Sequence, residues 1–355
     1  MDNVPTSAFF NMLMNLAGGM IEKMAAKPAA DDATKVSFSY LDIGGYNYAA
    51  SRYEKDGTLH PDRVIVGSET LPKNLYHNWQ LVKKLPYVIG DFMWTGWDYL
   101  GEAGIGTVRY KSFKNPGQDA PIISAGCGVI DICGKLRPEV QWNRLIWGLD
   151  HTPGIGVEPY THAGETGSVS MWRNTDAVAS WSWAGCEGKK TKVTVYSDGE
   201  TAELIVNGHS YGRKKTKEYK AVFKHVVYEP GTITAISYDG EGKEQSRTSM
   251  KTAVGATELH VVADRNTLQA KTQDLAYISI DLTGADGITK SSEDTAVTVE
   301  VDGAGKLLAL GSARPNMGEN FFSETHTTYY GKALAVVRGG DVPGKITVTV
   351  KAKGL

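Results

Sequence analysis

The chain has 355 residues, a length that suggests two or three domains at roughly 150 residues each. Hydrophobic residues make up 41% and charged residues 22%, an ordinary globular balance that argues against wholesale disorder. With 38 basic against 40 acidic residues the formal charge is −2, so no basic field exists to drive binding to nucleic-acid phosphates.

No apolar run approaches the roughly 18 residues of a membrane span. The opening MDNVPTSAFFNMLMNLAGGMIEKM lacks a basic segment followed by a continuous apolar one, so it does not read as a signal peptide. Within it, Phe10, Leu13, Met14, Ala17, Ile21 and Met24 recur at three- and four-residue steps, which predicts an amphipathic helix. The Ala/Pro/Asp-rich stretch 25–34 then breaks that pattern.

Three short β-prone runs come next, beginning at Ser39, Arg63 and Pro86 and each ending in polar or glycine-containing turns. Between the last two, Leu71, Leu75, Trp79, Val82 and Leu85 form one helical stripe. Buried strands separated by helix-length crossovers predict βαβ units of a parallel sheet. A further helix is expected over 138–150.

After His151 the pattern becomes all-β. KVTVYSDGETAELIVNG reads as two alternating runs around Asp198-Gly199, a hairpin signal. Strands are also expected at VFKHVVY, TITAISY, ELHVVAD, AYISIDL, AVTVEVD, KALAVVR and KITVTV. Their spacing suggests β-sandwiches, with a break near Thr252–Ala256. Forty glycines, against a usual share of about 7%, fit a turn-rich chain.

In parallel α/β folds, reactive side chains project from the C-terminal ends of strands. Those ends carry Tyr46-Asn47-Tyr48, then Ser68-Glu69, then Trp94 and, shortly after, Asp98. A carboxylate at Glu69, with Tyr and Asn donors and an aromatic platform nearby, suits attack on an anomeric carbon. An ion-paired glutamate at a strand terminus fits the spacing equally well. All eight tryptophans lie between Trp79 and Trp183. Such rings stack on sugars, but they also fill cores.

The runs GYNY, HPDRVIVGSETLPKN, DFMWTGWDYLGEAGIG and GVIDICGKLRPEVQW resemble the later part of the catalytic barrel of glycoside hydrolase family 2, closest to its bacterial β-galactosidase-like members. Downstream, AELIVNGHSYGR and EPGTITAISYDGEGK resemble the immunoglobulin-like domain that follows the barrel, and LLALGSARPNMGENFF with YYGKALAVVR resembles a further C-terminal sandwich. The resemblance implies three parts. Residues 1–150 would be the C-terminal part of a (β/α)8 TIM barrel, 151–253 an immunoglobulin-like β-sandwich, and 254–355 a second β-sandwich.

It also implies retaining hydrolysis of β-glycosides through a covalent glycosyl-enzyme, with β-galactosides as the substrate class. By match to VGSE, Glu69 is the nucleophile. Asn47 and Tyr48 fall among the polar groups beside the nucleophile and the sugar. Trp94 resembles the sugar-stacking tryptophan, and Asp98 an acidic position near the glycone, although a loop-bracing ion pair fits Asp98 as well.

The family's acid/base is the glutamate of an Asn-Glu pair, and this sequence contains no such dipeptide. About 150 residues are also too few for a barrel that typically takes about 250. The expectation is therefore a C-terminal portion of a larger enzyme, weak or inactive alone, its open barrel edge covered by the rest of that enzyme or by a second copy. Glu102, on the loop after the last strand, could stand in as the acid but is not expected to rescue activity.

Two other readings remain. One is a non-catalytic carbohydrate-binding or structural fragment. The other is a β-glucuronidase or β-mannosidase of the same family. The Asn-x-Lys element by which glucuronidases hold the sugar carboxylate is missing, since Lys73 precedes Asn74. The eight histidines include no pair at i, i+4, and the three cysteines match neither a zinc motif nor a disulfide framework. No metal or organic cofactor is expected. Full-length relatives of this kind are expected in the periplasm or outside the cell.

Overall fold

The computed structural model describes residues 20, 22–110, 122–173, 175–315 and 318–355. The helix expected over Phe10–Met24 lies largely outside them. The stretch 25–34, expected to break the helical pattern, instead starts a helix, α1 (Pro28–Phe38). Proline costs nothing at the first helical turn, where its missing N–H has no partner to lose, and alanines with an early Asp31 favour the helical turns after it.

Three parallel strands come next: β1 (Ile43–Asn47), β2 (Val64–Thr70) and β3 (Val88–Met93), in the order β1-β2-β3. Helices α2 (Tyr53–Leu59) and α3 (Leu75–Lys84) make the crossovers. The helical side of the sheet buries Tyr46, Ile65 and Val88 against Tyr53 and Leu85. Ile43, Ile89 and Phe92 stay exposed. Helix α4 (Glu139–Trp147) ends on Gly148 at φ 69°, a left-handed cap that glycine adopts without strain.

The rest of the chain is antiparallel β. Sheet β4-β5-β8 (Gly154–Val157, Lys190–Tyr196, Lys220–Val227) packs on sheet β10-β9-β6-β7 (Glu244–Lys251, Thr232–Tyr238, Thr201–Val206, His209–Lys215). Val193, Val195 and Phe223 from one layer meet Leu204, Ile233 and Ala235 from the other. Trp181 and Trp183 are fully buried in the same core.

A second sandwich pairs β11-β12-β16-β14 (Glu258–Ala263, Leu275–Thr283, Lys332–Gly339, Gly305–Gly311) with β15-β13-β17 (Thr325–Thr327, Ala296–Gly303, Ile346–Ala352). Ile278, Ile280, Ala335 and Val337 oppose Val297 and Val299 there. Among the described residues, no helix is long and apolar enough to cross a membrane.

The hairpin expected at Asp198-Gly199 is absent. β5 and β6 belong to opposite sheets, so this turn crosses the sandwich rather than folding back within one layer. Alternation cannot tell the two apart, because both bury Val193, Val195, Ala202 and Leu204 on one face. The crossing is fixed by a buried Ser197–Ser237 hydroxyl bond of 2.8 Å. Gly199 is required beside it, since a Cβ there would lie 2.4 Å from Ser237 Oγ.

The two-residue hairpin sits instead at Asn207-Gly208, between β6 and β7, with φ of 48° and 83°. Positive φ at both central residues marks a type I′ turn, whose twist matches that of paired strands. β7 and β10 carry no apolar stripe, and their side chains are mostly exposed. Both therefore escape a reading based on alternation.

Replacing Trp183 by Ala should lower unfolding stability by about 3–5 kcal/mol, while Val262→Thr on the exposed edge of β11 should stay within about 0.5 kcal/mol. Guanidinium unfolding followed by circular dichroism checks this. Equal midpoints for the two variants would contradict the assigned core.

Candidate active site

The site forms where the parallel strands end. Asn47 pairs with Glu69 after a register shift in β1, and backbone bonds continue the lateral order beyond the ladder. Tyr48 N–H donates to Glu69 O at 2.7 Å, and Trp94 N–H donates to Thr70 O at 2.9 Å. The ends of three strands are thus tied side by side, the usual location of ligand sites in α/β sheets. Gly45 permits the close approach of β1, because a Cβ there would lie 2.9 Å from Ser68 Oγ.

Both carboxylate oxygens of Glu69 are held. Tyr48 Oη donates to Oε1 at 2.5 Å, and Asn47 Nδ2 donates to Oε2 at 3.2 Å. Ser68 Oγ donates to Asn47 Oδ1 at 2.8 Å, which fixes the orientation of the amide. Tyr48 sits at φ 51°, an uncommon conformation for a bulky residue and one often found at functional sites. Burial, and then the bond to Glu69, push its pKa above the usual tyrosine value. Tyr48 is therefore a protonated donor throughout the physiological range.

Behind Tyr48 stands Trp172, whose indole Nε1–H donates to Tyr48 Oη at 3.1 Å. Trp172 lies in the irregular stretch before β5, where no periodicity draws attention to it. Among the described residues Glu69 has no ion pair; its partners are neutral donors.

Trp94 begins a second chain of the same kind. Its Nε1–H donates to Tyr99 Oη at 3.1 Å, and Tyr99 Oη donates to Glu102. Tyr48, Trp94, Tyr99 and Trp172 belong to one cluster around Leu71, Ile105, Ala125 and Cys127. The Trp94–Thr95 peptide is cis.

Asp98 is used differently. It is 6% exposed, and its Oδ1 accepts from the backbone N–H of Tyr99 at 3.1 Å and of Gly126 at 2.9 Å. Its Oδ2 pairs with Arg137 at 3.3 Å. Of the two roles open to Asp98 in the sequence, the structure supplies the contacts of the loop brace.

Under the strand end lies Asp91, which sequence reasoning passes over. Its Oδ2 accepts from Thr70 Oγ1 at 3.0 Å and its Oδ1 from Asn78 Nδ2 at 3.1 Å. Burial outweighs both bonds and raises its pKa to about 6. Gly67 leaves room for this arrangement, since a Cβ there would fall 2.7 Å from Asp91 Oδ1.

Residues 259–355 match the glycoside hydrolase family 2 C-terminal domain 5. Residues 188–246 match a domain of unknown function, DUF4982. The chain is 24% identical over 277 residues to beta-galactosidase BoGH2A of Bacteroides ovatus, an alignment covering 78% of this chain and 28% of that protein. A crystal structure of a glycosyl hydrolase family 2 member from Bacteroides cellulosilyticus superposes with a TM-score of 0.79 at 32% identity, covering 92% of this chain and 42% of that one. A beta-glycosidase from Bacteroides vulgatus shares the fold at 18% identity and a TM-score of 0.63, covering 88% of this chain and 44% of its own. The chain thus spans less than half the length of each of these relatives.

Asp91 gives a pH test. Its folded pKa lies above the ordinary 3.8, so its stabilising contribution is complete below that value and is lost as pH rises through about 6. Asp91→Asn cannot ionise. Its stability relative to the parent should rise by about 3 kcal/mol between about pH 3.5 and pH 7. A difference that stays constant across urea titrations at these pH values would show that Asp91 is not held in a desolvated site.

Proposed function

Related to glycoside hydrolase family 2 and carrying that family's C-terminal domain 5, the chain is, we propose, the nucleophile-bearing part of a retaining β-glycosidase. One observation carries this reading: a carboxylate at the end of a parallel strand, oriented by Tyr48 and Asn47, with no ion pair among the described residues and aromatic residues nearby. In this proposal residues 1–150 are the C-terminal part of a (β/α)8 barrel, supported by the parallel β1-β2-β3 unit with its crossover helices. Residues 151–253 are an immunoglobulin-like sandwich and 254–355 a second sandwich.

Glu69 attacks the anomeric carbon as its C–O bond to the leaving group breaks, giving a glycosyl ester that water then hydrolyses. The two donors on Glu69 fix the attacking oxygen, and Tyr48 keeps its proton throughout. Trp94 supplies an apolar face for the sugar, and Asp98 holds the loop that carries Tyr99. A β-galactoside is the proposed substrate. The related B. ovatus protein is a β-galactosidase by name, and the sequence has no Asn-x-Lys element to hold a uronate.

The general acid is not assigned within this chain, and losing such a group typically costs about 10²–10⁴-fold in rate. Leaving groups that depart without a proton should therefore be the ones that react. A dinitrophenyl β-galactoside should release its phenol, an alkyl β-galactoside should not, and Glu69→Gln should abolish the release. Cleavage of both substrates at similar rates would mean that a general acid is present. Release that survives Glu69→Gln would remove Glu69 from the reaction.

A further inference from the structure

A cavity of about 500 Å³ lies where segments 107–110 and 124–138, the first sandwich and the second sandwich meet, within the usual range of small-molecule sites, about 300–1,000 Å³. None of Asn47, Tyr48, Glu69 and Trp94 lines it. Its wall adjoins that site, however. Ser124 and Gly126 face the cavity, while Ala125 and Cys127 pack in the cluster with Tyr48 and Trp172.

The lining is charged, and unevenly so: five lysines and arginines against two aspartates, Asp131 and Asp176. Some of that charge is already engaged. Arg137 bonds Gly126 O, Gly128 O and Asp98, and Lys135 reaches Ser279 and Asp281. Asp176 accepts from Tyr110 Oη at 2.5 Å.

Among the described residues three of the five keep unused donors: Arg173, Lys332, and Lys251, which is exposed at the end of β10. Among the described residues Arg173 bonds only Glu139, through Nε at 3.2 Å, which leaves both Nη groups, with Asp176 also close enough to act on its charge. Lys332 Nζ has no hydrogen bond or ion pair among the described residues, and its electrostatic partner is Asp131.

The remaining lining suits a polyhydroxylated molecule. Ser180, Ser249, Thr289 and Ser291 contribute hydroxyls, and Tyr329 and Tyr330 form an aromatic wall with ring centroids 4.3 Å apart.

We propose that this cavity binds a monosaccharide-sized sugar carrying one anionic group, a carboxylate or a sulfate. Arg173 and Lys332 meet the charge, Thr289 and the serine hydroxyls meet the ring hydroxyls, and the tyrosines cover the apolar face. The site is separate from the one built on Glu69 and does not depend on hydrolysis.

Titration calorimetry on the full chain tests this with galacturonic acid, galactose 6-sulfate and galactose as probes. The expected result is saturable binding of at least one acidic sugar and at least about 10-fold weaker binding of galactose. Whether the first or second probe binds identifies carboxylate or sulfate. Lys332→Glu should weaken binding by about 10-fold or more, and Glu69→Gln should leave it unchanged.

Thr289→Val separates ligand contact from folding. It should weaken binding by about 3- to 10-fold while leaving the melting temperature of the free protein unchanged, because Thr289 is only half-buried and its hydroxyl makes no hydrogen bond among the described residues. No saturable binding of either acid, equal binding of galactose, or loss of binding with Glu69→Gln would each overturn the proposal.

Discussion

The site depends on a restriction on one donor. An indole nitrogen can only give its hydrogen, and a carboxylate can only accept one. Trp172 therefore occupies an acceptor position of Tyr48 Oη, and the phenolic proton is directed to Glu69. The order Trp172 to Tyr48 to Glu69 has one sense, and with Asn47 on Oε2 it leaves both oxygens of Glu69 oriented. The chain from Trp94 through Tyr99 to Glu102 obeys the same logic in the same cluster. Two carboxylates are thus oriented by neutral donors, and neither has an ion pair among the described residues.

The restriction reaches across 124 residues, because Trp172 belongs to the stretch leading into the first sandwich. That sandwich consequently helps to build the strand-end site. Arg173, next to Trp172, pairs with Glu139 at the start of α4 at 3.2 Å. α4 in turn packs Trp142, Leu145 and Ile146 with Leu75 of α3 and Tyr196 of β5. Trp142 Nε1–H also donates to Glu218 O at 2.8 Å. A shift of the sandwich relative to the parallel sheet would pull Trp172 from Tyr48 before it disturbed β1-β2-β3 itself.

Much of this was readable from residues that carry their own local signal. Val64-Ile65-Val66 followed by small residues and a glutamate announces a buried strand ending in a carboxylate. Asn47, Tyr48 and Trp94 lie at equivalent ends, so period and spacing alone bring them together. The strands with apolar stripes were equally plain. Sequence reading failed where the information lives in pairing. Val193 and Val195 alternate identically whether β5 pairs with β6 or faces it across a core, so Asp198-Gly199 could not reveal its crossing. Trp172 and Asp91 gain their roles only from partners remote in sequence, and Tyr99 from near neighbours in a stretch without a period. Asp98 offered two readings, and only the positions of Gly126 and Arg137 provide the contacts of one.

Intact-mass measurement after incubation with 2-deoxy-2-fluoro-β-galactosyl fluoride addresses the central claim most directly, because fluoride departs without a strong general acid while the fluorosugar slows hydrolysis of the ester. The account predicts an increase of one fluorosugar, localised by digestion to the peptide containing Glu69 and absent from Glu69→Gln. Folded protein that takes up no label, or takes it up elsewhere, would contradict it.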